Sequence, residues 1–203
     1  MNLDNLKVVN VFRSGTHKDG NGSTITISDV DMGNTAAAYN SLSKTHGKAP
    51  LFLGHPRSDA TAYGDIVGLA VAGNNMLALL DPKPELVSWV KRGDINAVSM
   101  SYDPPDSQQN PYPGVYYPRH LGFLGPMNGM KPAIKNLDPL AFMESPEMPV
   151  TFSNGSECVY FSEYDAIVDR KQAGIDRLAR EFSVVGNVSY EQGLRISLEF
   201  WSY

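Results

Sequence analysis

The chain has 203 residues, 42% of them hydrophobic, which supplies one well-buried core and argues against a second full domain. A net charge of −5 with no Lys/Arg run argues against a direct nucleic-acid ligand, and no apolar run approaches the length of a membrane span. The single cysteine, Cys158, excludes an internal disulfide and a thiolate metal cluster, and small hydrophobic filler is the role expected of it.

Charged residues make up 19% of the chain, below the usual quarter or so, whereas 18 Gly and 14 Pro imply many turns, so a strand-rich fold with long connections is expected. The start, Met1-Asn2-Leu3-Asp4, lacks the basic-then-apolar layout of a signal peptide, which predicts a protein made and used in a cytoplasm.

Lys7 to Phe12 reads as a first strand, Arg13 to Gly22 as a glycine-laden turn and Ser23 to Ile27 as the partner strand of a hairpin. His17, beside Asp19, is expected to be an exposed turn histidine. Asp29 or Asp31 can cap a helix running through Thr35 to Leu42, with Gly47 as its stop and His46 against the negative end of its dipole.

Pro50 to Gly54 is a short buried strand that delivers His55, with Gly54 and Pro56 removing bulk and fixing the backbone on either side. Tyr63 to Val71 and Met76 to Asp81 form a hairpin about Gly73-Asn74, and the unbroken apolar run Met76 to Leu80 belongs deep in a sheet. Pro84 opens a helix that ends at Arg92, with Leu86, Trp89 and Val90 on its buried face and Gly93 as its stop.

The next strand, through Ala97-Val98-Ser99-Met100-Ser101-Tyr102, is the centre of the chain. Period-two alternation puts Ala97, Ser99 and Ser101 on one face, so either serine can receive help from a histidine. Serine needs an imidazole to take its proton and a third group to orient that imidazole; His55 and His120 are available, with Asp59, Asp65 or Asp103 as other orienting groups. The proline-rich, tyrosine-bearing segment from Asp103 to Pro118 either lines a peptide groove or is a solvated connection, and Tyr116 to Leu124 forms the strand that carries His120. A last strand from Lys131, a hairpin between Thr151 and Phe161, and a helix opened by a capping box at Ser162 and running to about Phe182 complete the reading. Ile175 and Leu178 lie on one face of that helix. Phe200-Trp201-Ser202-Tyr203 should be buried or paired.

Five segments resemble, in order, those of the capsid maturation (prohead) proteases of tailed phages, especially the Mu-like branch related to the herpesvirus assemblins. They are Ala49-Pro50-Leu51-Phe52-Leu53-Gly54-His55-Pro56, Ala62 to Gly68, Leu86 to Ser99 with its Lys91-Arg92-Gly93, Arg119-His120-Leu121-Gly122-Phe123-Leu124-Gly125, and Lys131-Pro132-Ala133-Ile134. The likeness spans roughly residues 8 to 137.

The resemblance implies a β-rich α+β fold, a small assemblin-like β-barrel surrounded by helices, with a catalytic core over residues 1–150 and a helical extension over 151–203 packed on it. It implies a serine endopeptidase that cleaves scaffold and capsid protein, and itself, inside the procapsid in the host cytoplasm. Ser99 aligns with the family's nucleophile and Ser101 is held in reserve. His55 becomes the general base, His120 its orienting partner, and Asn128 and Gly129 the region of the oxyanion donors. A histidine as third member cannot carry a full negative charge, so a modest catalyst is expected. No cofactor, no metal and no membrane is expected; substrates are the major capsid and scaffold proteins, and a homodimer or higher oligomer is expected. A non-catalytic assembly module keeping the same fold is the alternative, and a metal-dependent hydrolase using His55, Asp59, His120 and His17 is a further one, although no HExxH-like spacing supports it.

Overall fold

The computed structural model describes residues 3–18, 22–56, 59–131, 137–143 and 170–200. After a 3-10 turn at Leu3–Asn5 come β1 (Lys7–Arg13), β2 (Gly15–Lys18), β3 (Thr24–Ile27), α1 (Asp29–His46), β4 (Leu51–Leu53), β5 (Gly64–Ala72) and β6 (Asn75–Pro82). Next are α2 (Pro84–Lys91), β7 (Ala97–Asp103), β8 (Tyr117–Leu124), α3 (Arg170–Gly186) and α4 (Tyr190–Glu199).

Because β6 is apolar at successive positions, both of its faces need cover, and it lies at the centre of an antiparallel sheet ordered β1-β6-β5. Alternation then divides its side chains. Met76, Ala78 and Leu80 enter the main core with Tyr39, Leu86, Ile95 and Phe123, while Leu77 and Leu79 face Leu178 and Phe182 of α3. Strand β1 and the residue before it divide in the same way, Val9 and Val11 to the main core and Leu6 and Val8 toward α3. Each fully buried leucine of this kind contributes about 1.5–3 kcal/mol.

That two-sided burial explains a correction to the expected first hairpin. β1 pairs with β6, Val8 opposite Leu79, and not with Thr24–Ile27. The partner of β3 is instead β2, formed within the segment read as a turn, with His17 opposite Ile25. A strand with two apolar faces finds cover on both sides only inside the main body, whereas the half-exposed β2–β3 ribbon does not require it.

Helix α1 begins earlier than its alanines suggest, and neither aspartate is its N-cap. Ser28 caps it: Asp31 N donates to Ser28 Oγ at 3.1 Å and Ser28 N donates to the Asp31 carboxylate at 2.8 Å, a reciprocal capping box. Gly47, at φ 93°, stops the helix as expected. The helix is fastened to the sheets by Tyr39, whose hydroxyl donates to Ile66 O at 2.7 Å and accepts from Ala49 N at 2.9 Å, and by Asn40, whose amide bonds both Leu69 N and Leu69 O. Burial pushes the Tyr39 phenol above its ordinary value, so it stays a neutral donor.

The second three-stranded sheet is ordered β4-β8-β7, with β4 parallel and β7 antiparallel to β8. A bridge between Pro50 and Asp65, with Tyr63 N donating to Leu51 O and Ile66 N to Ala49 O, joins the β4 edge to β5. At the opposite edges Phe12 meets Tyr102 edge to face at 5.8 Å, but no ladder joins β1 to β7. The described strands are thus three small sheets in a mixed α+β fold, and they do not close into a barrel.

Helix α3 rests on β1 and β6. Glu181, 2% exposed, accepts from Val8 N at 3.1 Å and is paired with Arg177, whose guanidinium also donates to Leu6 O and Leu3 O. Burial pushes the Glu181 carboxyl up, and the neighbouring guanidinium opposes that rise. Helix α4, capped by Ser189 and Gln192, occupies a stretch read only as a tail. It crosses α3 closely at Gly193, where a Cβ would lie 2.2 Å from Ala179 O. The expected strand beyond Lys131, the hairpin within 151–161, the Ser162 helix start and Cys158 lie outside the described residues.

Candidate active site

Strand β4 ends because Gly54 turns the chain, at φ 71°, a left-handed conformation that favours glycine. Its N–H still continues the ladder, donating to Phe123 O at 2.9 Å, so the following residue, His55, is delivered against β8. Leu121 N donates to Pro50 O, which shows that Leu121 and Phe123 turn their backbone groups toward β4. His120 and Gly122 therefore turn theirs toward β7, where they lie opposite Ser101 and Ser99 respectively.

Residues directly opposite across an antiparallel pair share a face, with Cβ atoms about 4.5–5.5 Å apart. A Cβ on Gly122 would lie 2.9 Å from His55 Cε1 and 2.6 Å from Gly54 O, so the His55 ring occupies the place where residue 122 would have a side chain. The ring consequently sits across the strand from Ser99, while Ser101 faces His120. Gly122 belongs to the site as the residue that makes room for the imidazole. Sequence reasoning passed over it, although a glycine inside a strand is a sign of close approach.

His55 Nδ1 and His120 Nε2 are 2.8 Å apart, a hydrogen bond between the two rings. Phe52 packs edge-on against His120 at 5.6 Å, and His120 is 7% exposed. Desolvation, then the neighbouring His55 and Arg119, push His120 down from 6.5 to about 4; desolvation also lowers His55. Both rings are therefore neutral at pH 7. For His55 to act as a base at Nε2, its Nδ1 must hold the proton and donate to His120 Nε2.

Ser99 and Ser101 are both partly exposed, and among the described residues neither hydroxyl has a hydrogen bond to either ring. Asn128 and Gly129 close the turn after β8. Their backbone amides both donate to Gly125 O, at 3.2 and 2.9 Å, and the Asn128 side chain bonds Gly125 N, Met130 N and Phe123 O. In this arrangement the two amides are engaged within the turn.

The structure does not bring the other named groups to the pair. Asp65 lies on β5 opposite Asp81, Asp103 opposite Tyr117 at the far end of β7, and Asp59 is exposed in the segment leading to β5. His17 lies on β2, with its Nε2 2.7 Å from Arg13 O and its ring against Phe12, and His46 is in the last turn of α1. Among the described residues no group of three His, Cys, Asp or Glu side chains could hold a metal ion.

The segment after β7 is braced by a buried asparagine. Asn110 Nδ2 donates to Asp103 O, Pro104 O and Val115 O, at 3.2, 2.9 and 2.7 Å, leaving Tyr112 exposed above it. Comparison of the chain with protein-family models and with curated proteins found no match.

Proposed function

We propose that the protein is a serine endopeptidase of viral procapsid maturation in which Ser99 is the nucleophile, His55 the general base and His120 the group that orients His55. The observation that carries this reading is the 2.8 Å bond between the rings, with His55 seated over Gly122 and hence across from Ser99. Ser101 is the weaker nucleophile, because it faces the ring whose Nε2 is already engaged by His55. Two neutral, partly desolvated imidazoles are suited to the role: the first offers a free lone pair at neutral pH, and the second fixes its tautomer.

In the proposed reaction Ser99 Oγ passes its proton to His55 Nε2 as it adds to the scissile carbonyl. The imidazolium then gives that proton to the departing amine, leaving an acyl-serine. Water, deprotonated by His55, adds to the ester carbonyl, and the proton returns to Ser99 as the acid leaves. The Ser99 hydroxyl must first come within hydrogen-bonding reach of the ring, as catalytic hydrogen bonds that are long without substrate tighten when it binds. Scaffold and capsid proteins are the proposed substrates, and an assemblin-like wrapping of the two joined sheets is the proposed architectural kinship.

A second reading, an assembly module without activity, is favoured by the engaged amides at Asn128 and Gly129 and by the missing Ser99–His55 bond. A biotinylated fluorophosphonate separates the two. Labelling of the full chain at Ser99, kept in Ser101→Ala and lost in Ser99→Ala, supports the peptidase. Equal labelling of wild type and Ser99→Ala, or none in either, favours the module.

A further inference from the structure

We infer that Met130, with Met127 in the same exposed turn, forms an apolar subsite beside His55 that receives a hydrophobic side chain of the peptide next to the scissile bond. The inference rests on the peptidase reading above. Both methionines are open, 43% and 47% exposed, and among the described residues they are two of seven large apolar side chains that are exposed. Met130 is not a loose surface residue: its Sδ would be 2.6 Å from a Cβ on Gly54, so it lies directly against the residue that precedes the candidate base.

The turn that presents the pair is fixed. Asn128 Oδ1 accepts from Gly125 N at 3.0 Å and from Met130 N at 3.2 Å, and Asn128 Nδ2 donates to Phe123 O at 2.9 Å, which pins residues 125–130 to the end of β8. Gly129, at φ 67°, lets the chain reverse between the two methionines. A rigid turn therefore holds flexible, polarizable thioether side chains at the edge of the site. Such side chains adapt to apolar partners of varied shape and offer nothing to a charged one. The Asn128 and Gly129 amides serve the subsite by shaping this turn.

The occupant follows from continuity with the site: a peptide whose carbonyl reaches Ser99 passes His55, and the side chain on that side meets Met130. Its chemistry is Leu, Ile, Met or Phe. Asp and Glu are disfavoured because the thioether side chains themselves cannot compensate a desolvated carboxylate.

The test is digestion of a proteome-derived peptide library by the full chain, with cut sites mapped by mass spectrometry. Wild type should prefer an apolar over an acidic residue at one position within two residues of the cut, by at least about tenfold, the discrimination that apolar pockets usually give. Met127→Ser combined with Met130→Gln should lose that preference with Ser99 still open to fluorophosphonate labelling, which shows that the variant is folded, and Met130→Leu should keep it. An unchanged preference in the double variant, or none in wild type, overturns the subsite alone. Absence of both cutting and Ser99 labelling overturns the peptidase reading and the subsite with it.

Discussion

At the scale of single residues the site depends on two side chains that meet and one that is missing. The absent side chain is that of Gly122. Alanine there would put a Cβ 2.9 Å from His55 Cε1 and 2.6 Å from Gly54 O, and backbone cannot yield as a flexible tip can. Gly122→Ala is expected to shift the ring and lower the fluorophosphonate labelling rate about a hundredfold, the usual effect of roughly an ångström of misplacement. An unaltered rate would remove His55 from the reaction. His120 gives a prediction about stability. Its folded pKa, about 4, is below the unfolded 6.5, so the unfolded chain binds the proton more tightly. The pair therefore takes nothing from stability above pH 6.5, and the folded state loses ground as pH falls from 6.5 toward 4. Thermal melts of wild type and His120→Gln across that window should diverge, with the wild type falling more steeply toward acid. Parallel curves would mean that His120 titrates normally. If His55 is the base of the proposed peptidase, its lowered pKa should place the acidic limb of kcat/KM below 6.5.

At the scale of elements, much was legible wherever a local rule decides. Gly47 and Gly93 mark helix ends, Pro84 opens α2, and Gly73-Asn74 turns the β5–β6 hairpin, because each acts through its own backbone geometry. The misses have equally local causes. Ser28 with Asp31, and Ser189 with Gln192, are capping boxes written in the sequence three residues apart, and reading them would have supplied the start of α1 and the whole of α4. Ser28→Ala is expected to destabilise the protein by about 1 kcal/mol, read from urea midpoints at constant slope. A change within error would assign the helix start to packing alone. The partner of β1 was not legible in this way, since pairing across some seventy residues depends on which strand needs two-sided cover.

At the scale of the whole molecule, α3 is tied to the N-terminal segment by a polar cluster, Glu181 with Arg177, Val8 N and the carbonyls of Leu3 and Leu6, beside the apolar packing of Leu6 and Val8 with Leu178 and Phe182. Removing one partner leaves a charge buried without its counterpart, so Arg177→Met is expected to cost about 3–5 kcal/mol. Chemical unfolding measures it, and a loss below about 1 kcal/mol would mean that Glu181 takes up a proton in the variant. Among the described residues no helix is long and apolar enough to cross a membrane.

The sequence by itself determined most of the strands, helices and turns, β2 and α4 excepted, because composition, period and the backbone habits of Gly, Pro and Ser act over a few positions. Only the tertiary structure decided that His55 and His120, 65 positions apart, share a hydrogen bond, and that His55 rests where Gly122 has no side chain. Those are matters of register between β4, β8 and β7, and register is set by the burial of whole faces against one another, which no short run of residues encodes.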